Sequence, residues 1–457
     1  MNKLAQLDHK YLWHPFTQMR DWLKREPITI VRGNGSYLFD AHGKRYLDGN
    51  SSIWTNLHGH AHPKINAAIN AQVKKIAHSS ALGLANEPAS ILGERLVKGA
   101  GGKLNKVFYS DDGSTAMEVA LKLSFQYAVR TGFSKNPKFL SLDNAYHGDT
   151  VGAVSLGHID LFHKAYQPLL FNTDKVASPY CYRCPHNRAR PERTDARDCR
   201  KCNMECLDTV ERKFHAQKKK GNPYAAFVFE PLVQGAAGMI AQPKGWLRSA
   251  TKIAKSYGAQ LIADEVMTGF GRTGPMFACQ KENVQPDFMA LAKGLTGGYM
   301  PMAATLTTQR VFDAFLGKYE DFKTFFHGHS YTANQLGSAA ALASLDLLQT
   351  KQSAKARANL DKILHTALQT LWSVRQVGDV RQVGLIAGIE LVRDWKTRQP
   401  YDLKDRAGIR VCEAMAKRGV LTRPIGNVIV IMPPYCATAE QVETIISALT
   451  ASIREVL

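Results

Sequence analysis

Short apolar segments alternate with helical stretches through the middle of this 457-residue chain, and no other feature constrains its fold as strongly. Segments with the length and composition of buried strands lie at residues 106–110, 138–142, 225–229, 260–263 and 288–291. Strands that alternate with helices form a largely parallel sheet that is covered by helices on both faces. The sequence therefore predicts an α/β fold, with any ligand bound beyond the carboxyl ends of the strands.

The two ends of the chain have a different pattern. A long helix is predicted over residues 336–348, and strands are predicted near residues 380–382, 385–392 and 428–432. Further strand-like segments at residues 28–32 and 37–40 flank a glycine-rich turn at residues 33–35. We expect residues 61–335 to form a large domain and residues 336–457 a smaller α+β domain. Residues 1–60 are expected to pack with the smaller domain.

The composition excludes several classes of function. The formal net charge is +20, as in many nucleic-acid-binding proteins. The lysines and arginines are nevertheless scattered, and no zinc-finger, RNP or helix-turn-helix pattern is present, so we expect no nucleic-acid partner. No apolar run reaches the roughly 18–20 residues that span a bilayer, so no membrane partner is expected. The N-terminus lacks the apolar core of a secretory signal, which makes the cytoplasm the expected location.

An acidic residue and a lysine follow two of the predicted strands. Asp264 follows the strand at 260–263, and Lys293 follows the strand at 288–291. Burial lowers the pKa of a lysine and makes its amine a usable nucleophile. A carboxylate that keeps a pyridine nitrogen protonated and a lysine that forms an imine are the pair that a pyridoxal cofactor requires. Taken alone, Asp264 fits a helix or turn cap equally well.

Two further strand ends carry groups that suit the same cofactor. Gly113 and Ser114 open the helix after the strand at 106–110, and backbone amides at a helix N-terminus bind phosphate. Tyr146 follows the strand at 138–142, where its ring can stack on a pyridine. Each feature also fits an ordinary helix cap or a partly buried turn tyrosine. Their convergence at the strand ends indicates pyridoxal 5'-phosphate.

The segment LIADEVMTGFGRTGPMFACQ, followed by ALAKGLTGG, resembles the signature region of the class III aminotransferases of fold type I. The resemblance covers nearly the whole chain and implies a pyridoxal-phosphate-dependent transferase. It implies that Lys293 holds the cofactor as a Schiff base and that Asp264 binds its pyridine nitrogen. It further implies that Tyr146 stacks on the ring and that Gly113 and Ser114 bind the phosphate.

The stretch HGHSYT, which begins at His327, implies a contribution from a second subunit. By the same resemblance, Ser330, with His329 beside it, reaches the cofactor of the neighbouring subunit, and Gly328 lies near the substrate. Active sites shared in this way require a homodimer. Glu230 matches a strand-end glutamate of the class and is expected near the active site.

Residues 13–19, 48–58 and 422–435 resemble the branch of this class that makes 7,8-diaminopelargonate in biotin synthesis. The substrate-binding residues implied by this resemblance are Phe16, Ile53, Trp54, Tyr146, Gly328 and Arg423. In that branch the residue matching Arg423 binds the substrate carboxylate, a task that suits a planar and permanently charged guanidinium.

Two of these positions depart from the best-known members of the branch, which carry a tyrosine at the position of Phe16 and a tryptophan at that of Ile53. Part of the wider family takes its amino group from lysine rather than from S-adenosylmethionine, and the His329–Ser330 pair resembles that part. We therefore expect lysine ahead of S-adenosylmethionine as the donor. An ω-amino-acid or diamine transaminase is the alternative, because only the substrate pocket separates it from this branch.

Five of the eight cysteines fall between Cys181 and Cys206. Cys181 and Cys184 form one CxxC pair, and Cys199 and Cys202 form a second, with a spacing that suits tetrahedral zinc. A structural Zn²⁺ on these four thiols would hold the polar stretch between the two pairs in place. The alternatives are an ordered loop with reduced thiols, a redox-linked disulfide, or the metal finger of a non-enzymatic basic scaffold.

Overall fold

The computed structural model describes all 457 residues, and its centre is a seven-stranded sheet. From one edge to the other, the strands are Leu104–Ser110, Ala303–Thr308, Phe288–Leu291, Gln260–Asp264, Tyr224–Phe229, Lys138–Leu142 and Asp174–Val176. Neighbouring strands from Phe288–Leu291 to Asp174–Val176 are parallel, and Ala303–Thr308 runs antiparallel to both of its neighbours. The predicted α/β class with a mostly parallel sheet is confirmed.

The central sheet is covered on both faces because its strands are apolar on both sides. Phe227 and Phe229 belong to one hydrophobic cluster, whereas Ala226 and Val228 of the same strand belong to another. Since side chains alternate between the faces of a strand, each cluster lies on one face. The helices of this region are Pro63–Lys75, Glu87–Ala100, Gly113–Arg130, Val151–Leu156, Glu205–Lys219, Trp246–Ser256, Gln309–Asp313 and Gln335–Leu348.

The helix Gly113–Arg130 begins at the carboxyl end of the edge strand Leu104–Ser110. Asp112 caps it, because its Oδ1 accepts the Thr115 N–H at 2.9 Å. The Thr115 hydroxyl in turn accepts the Asp112 N–H at 3.0 Å. This reciprocal cap fixes the helix N-terminus at the edge of the sheet where ligands of parallel sheets bind.

The C-terminal part contains a second sheet, whose main strands are Val377–Val383, Ile386–Asp394, Val428–Ile431 and Pro424–Ile425. The helices of this part are Lys351–Gln369, Ala407–Lys417 and Ala439–Val456. The N-terminal strands Ile30–Asn34, Tyr37–Asp40 and Arg45–Asp48 form a further sheet with Val420–Leu421. Val420 pairs with Leu47 in parallel register, so the two ends of the chain are hydrogen-bonded to each other. The division into three domains stays a prediction.

The remaining elements are short. They are the helices Lys3–Tyr11, Met19–Trp22, Ser51–Trp54 and Asp160–His163, and the strands Val233–Gln234, Ile240–Ala241 and Gln399–Pro400. Among all the helices of the chain, none combines the length and the apolar character needed to cross a bilayer.

Candidate active site

A cavity of about 460 Å³ opens at the carboxyl ends of the central strands. Residues that follow or end five strands contribute to its lining, and they are Asp111, Asp112, Gly113, Ser114, Tyr146, His147, Glu230, Asp264 and Lys293. The structure thus brings together Gly113, Ser114, Tyr146, Asp264 and Lys293, which are far apart in the sequence. Trp54 lines the cavity from the N-terminal part of the chain.

Lys293 follows the strand Phe288–Leu291 and lies in the left-handed region, with φ at 44°. Its Nζ is 5.2 Å from the centre of the Trp54 ring. Burial lowers the pKa of Lys293, although the charges of Asp264 and Glu230 oppose the shift. Gly294 follows, and a Cβ there would lie 3.2 Å from Leu57 and 3.3 Å from Phe270. The close packing of Gly294 therefore holds the Lys293 backbone at the cavity floor.

Asp264 ends its strand inside the site and is paired with a histidine. Its Oδ2 lies 2.7 Å from Nδ1 of His147, whose side chain is fully enclosed. Burial alone would lower the pKa of His147, but the hydrogen bond to Asp264 and the charge of that carboxylate raise it. Nε2 of His147 has no partner in the chain. The sequence analysis missed His147, although it directly follows Tyr146 at a predicted strand end.

Glu230 is a second buried carboxyl of the site. Its Oε2 accepts the Gly235 N–H at 2.7 Å, and its Oε1 accepts the Tyr146 N–H at 3.3 Å. Burial, together with the nearby charge of Asp264, raises the pKa of Glu230 to about 7. Glu230 is therefore able to gain or lose a proton near neutral pH.

A cradle for a phosphate group lies at the start of the helix Gly113–Arg130. The first amides of a helix have no helical partner and point outwards with the positive end of the helix dipole. A Cβ at Gly113 would lie 2.8 Å from Val266, so a glycine is required there. Ser114 Oγ accepts the Asp149 N–H at 2.9 Å, which fixes the neighbouring loop against the helix.

Tyr146 presents its ring to the cavity, and its hydroxyl donates to Asp149 Oδ2 at 2.8 Å. A row of aromatic rings continues outwards from it. The ring of Phe162 is 6.3 Å from that of Tyr146, and the ring of Phe16 is 5.3 Å from that of Phe162. Phe16 is thus linked to the site through a residue that the sequence analysis did not single out.

Six of the predicted site residues do not line the cavity of the isolated chain, and they are Phe16, Ile53, Gly328, His329, Ser330 and Arg423. Phe16 and Ile53 are 57% and 45% exposed. Gly328, Ser330 and Arg423 are also exposed. His329 approaches the phosphate cradle from within the same chain, because its Nδ1 is 3.4 Å from Asp111 Oδ2.

The predicted zinc site is not supported. Nowhere does the chain bring three or more His, Cys, Asp or Glu side chains into an arrangement that could hold a metal ion. All eight cysteines are free. Burial raises the pKa of Cys181 to about 12 and that of Cys206 to about 11, so these thiols are protonated at neutral pH in the free chain. The zinc site that the CxxC spacing predicted at Cys181, Cys184, Cys199 and Cys202 is therefore unsupported.

The residues around the cavity fit pyridoxal 5'-phosphate. A lysine with a lowered pKa, a buried carboxylate, an aromatic ring and a helix N-terminus surround a single cavity. Each supplies a function that this cofactor needs: a covalent link, a partner for the pyridine nitrogen, a stacking surface and a phosphate site. The fold and the site together define a pyridoxal-phosphate-dependent enzyme.

The chain belongs to the class III aminotransferases, because residues 19–453 match the family described as aminotransferase class-III. An adenosylmethionine-8-amino-7-oxononanoate aminotransferase of Geobacter sulfurreducens is 50% identical over 453 residues, which cover 99% of this chain and 98% of the relative. The crystal structure of the enzyme with the same name from Methanocaldococcus jannaschii has a TM-score of 0.91 at 40% identity, with 99% of each chain covered.

An ω-transaminase of Pseudomonas jessenii, in complex with PMP, also has a TM-score of 0.91. Its sequence identity is 27%, and the comparison covers 100% of this chain and 98% of that one. The two structural relatives are equally similar in fold, so the fold alone does not separate their activities.

Proposed function

We propose that this aminotransferase transfers an amino group to the ketone of 8-amino-7-oxononanoate and so makes 7,8-diaminononanoate in biotin synthesis. The observation that carries the proposal is the full-length identity of 50% to a relative with the corresponding name. The similarity to an ω-transaminase, at 27% identity, supports the second candidate, an ω-amino-acid or diamine transaminase. The two candidates share the cofactor site and differ in the substrate pocket.

When bound, pyridoxal phosphate withdraws electrons from the amine-bearing carbon and carries the amino group from donor to acceptor. In our proposal Lys293 Nζ holds the cofactor covalently and, as a free amine, moves a proton. The lowered pKa of Lys293 favours the neutral amine that both tasks require. The hydrogen bond between His147 Nδ1 and Asp264 Oδ2 fixes the orientation of the carboxylate that is proposed to meet the pyridine nitrogen.

Arg423 is proposed as the anchor of the substrate carboxylate. The side chain is exposed and its guanidinium makes no ion pair within the chain, so it is free to bind an incoming anion. Phe16, Ile53 and Trp54 are proposed to contact the aliphatic part of the substrate. An anchored carboxylate sets the depth at which the chain lies and so places the ketone at the reacting position.

We also propose that the active protein is a cytoplasmic homodimer. Ser330 would then serve the active site of the neighbouring subunit, with Gly328 near the substrate, whereas His329 lies at the phosphate cradle of its own chain. Large apolar side chains remain exposed in the isolated chain, among them Leu82 at 92% and Trp13 at 89%. Such exposed apolar groups are typical of a surface that a second subunit covers.

The amino donor is proposed to be lysine in preference to S-adenosylmethionine, on the basis of Phe16, Ile53 and the His329–Ser330 pair. The test is turnover of 8-amino-7-oxononanoate by purified enzyme with each donor supplied separately, and with Lys293→Ala as the inactive control. Formation of the diamine with lysine supports the whole proposal, and its formation only with S-adenosylmethionine rejects the donor assignment. No diamine with either donor, together with rapid turnover of ω-amino acids and pyruvate, would establish the second candidate instead.

A further inference from the structure

A buried ionic cluster lies in the C-terminal sheet, outside the cavity. Arg381 Nη1 donates to Asp379 Oδ2 at 3.0 Å and to Glu390 Oε2 at 2.8 Å. All three side chains are at most 7% exposed. Burying charges costs free energy unless they are closely paired and hydrogen-bonded, so a cluster of this kind needs further partners.

Two residues of the cysteine-rich segment, residues 179–206, provide these partners. The Tyr180 hydroxyl donates to Glu390 Oε2. Arg183 donates to Glu390 Oε1 through Nε at 2.9 Å and through Nη2 at 2.7 Å. Both residues belong to the sequence Tyr-Cys-Tyr-Arg-Cys at residues 180–184. This stretch therefore contacts Glu390 through its first tyrosine and its arginine rather than through its thiols.

The other side of Arg381 faces a turn formed by Gly235–Met239. Arg381 Nε donates to the Met239 carbonyl at 2.8 Å, and Nη2 donates to the Gly238 carbonyl. Met239 has φ at 52°, a left-handed conformation that is unfavourable for a residue with a side chain. The guanidinium of Arg381 thus holds two carbonyls of a strained turn.

The opposite side of this turn is a wall of the active-site cavity. Ala236 lines the cavity, and the Gly235 N–H donates to Glu230 Oε2 at 2.7 Å. A Cβ at Gly235 would lie 2.6 Å from Met267 Sδ and 3.3 Å from the Trp54 ring, so the turn packs closely against both side chains. Any shift of the turn therefore moves Glu230 and Trp54, which both line the cavity.

We propose that Arg381 is a positioning residue for the substrate side of the active site, and that the cysteine-rich segment serves to hold Arg381 in place. The segment binds Glu390, Glu390 orients Arg381, and Arg381 fixes the turn on which Glu230 and Trp54 rest. This inference rests on the proposed function only in the kinetic part of the test, which uses 8-amino-7-oxononanoate as the substrate.

The test compares Arg381→Lys and Tyr180→Phe with the matched control Arg193→Lys. Arg193 belongs to the same segment and donates to the carbonyls of Val377 and Val374 at 2.6 and 2.7 Å, but it has no bond to the Arg381 cluster. Its replacement weakens the attachment of the segment without touching the turn. Hydrogen exchange of the peptide that covers residues 233–241 in the holoenzyme reports on the turn directly, and it needs no substrate.

In Arg381→Lys we expect this peptide to exchange at least about tenfold faster than in the wild type, since bonds to two carbonyls are lost. The KM for 8-amino-7-oxononanoate should rise about tenfold, with kcat changed much less, because substrate fit is altered and Lys293 is not. Tyr180→Phe should change both quantities in the same direction by a smaller factor. Arg193→Lys should change neither.

Unchanged exchange of residues 233–241 in folded Arg381→Lys would overturn the proposal. Equal acceleration in Arg193→Lys would also overturn it, since general loosening would then explain the result. If Arg381→Lys does not fold, Tyr180→Phe makes the same comparison, because it removes a single hydroxyl. Wild-type enzyme that does not use the keto acid would count against the proposed function alone, since the exchange experiment would still decide the role of Arg381.

Discussion

Two buried clusters of charged side chains lie on either side of the turn Gly235–Met239, and they differ in how completely their groups are paired. In the active site, Nε2 of His147 has no partner, and burial leaves Glu230 with a pKa of about 7. In the C-terminal sheet, Glu390 receives bonds from Arg381, Arg183 and Tyr180. The side chains of Asp264, His147 and Glu230, like those of the second cluster, are at most 7% exposed, so burial alone does not distinguish the two clusters.

The difference indicates which buried groups take part in chemistry. A buried polar atom that lacks a partner within the chain, such as Nε2 of His147, is available to bind a ligand. The groups of the paired cluster are held in position by their bonds within the chain, and so they support the shape of the structure. We therefore propose the incompletely paired cluster as the active site and the paired cluster behind it as its support.

The largest effect on stability is expected from Glu390→Gln. The charges of Arg381 and Arg183 outweigh burial and lower the pKa of Glu390, so its carboxylate stabilises the fold above its ordinary pKa and loses this contribution as the pH falls. Removing one partner of a buried ionic cluster costs about 3–5 kcal/mol. Urea denaturation at pH 7.5 measures the loss. A change below about 1 kcal/mol would mean that this cluster does not support the fold.

The second prediction concerns Arg423, which lies outside both clusters. Arg423→Ala should slow the half-reaction with the keto acid about tenfold to a hundredfold, since a charge-assisted pair contributes about 1.5–3 kcal/mol. Single-turnover rates with the keto acid and with the donor separate the two half-reactions, and the donor reaction serves as the control. Equal losses in both half-reactions would show that Arg423 does not anchor the keto acid specifically.

The third prediction concerns Glu230, whose ionisation should affect the free energy of unfolding in the opposite sense to that of Glu390. The raised pKa of Glu230 means that the folded carboxyl stays protonated while the unfolded one ionises above its ordinary value of 4.5. The resulting destabilisation grows from about pH 4.5 to about pH 7 and is then constant. Glu230→Gln cannot ionise, so its stability relative to the wild type should increase by about 3 kcal/mol between pH 4 and pH 8. Denaturation of both cofactor-free proteins at both pH values checks this, and a difference between variant and wild type that is the same at pH 4 and pH 8 would refute it.

The smallest effect is expected from metal removal. Treatment with a strong chelator should leave the thermal midpoint within about 1 °C of the untreated value, because the cysteine-rich segment is held by arginine side chains. A structural zinc would instead make the midpoint fall on chelation. Elemental analysis of the untreated protein provides the control, and stoichiometric zinc would restore the metal-site hypothesis.

Strands that are recognisable from a short stretch of sequence were predicted from the sequence alone. The strands Lys138–Leu142 and Phe288–Leu291 have the predicted bounds, because each is a short apolar run that is buried on both faces. The residues at the strand ends were found for the same reason, since the carboxyl ends of parallel strands meet at one edge.

The paired cluster could not be predicted, because its contacts join distant parts of the chain. Tyr180 and Glu390 are 210 residues apart, and Arg381 and Gly238 are 143 apart. No periodicity or motif carries that information. The zinc site predicted from the cysteine spacing is unsupported, because residue spacing alone does not determine whether side chains adopt a geometry that holds a metal ion.

The central claim is that the incompletely paired cluster holds pyridoxal phosphate through Lys293. Reduction of the purified holoenzyme with borohydride makes the covalent lysine–cofactor link permanent, and mass spectrometry of the digested protein then locates it. We predict that the cofactor remains on the peptide that contains Lys293 and on no other peptide. A cofactor label on a different lysine, or none in an active enzyme, would contradict the account.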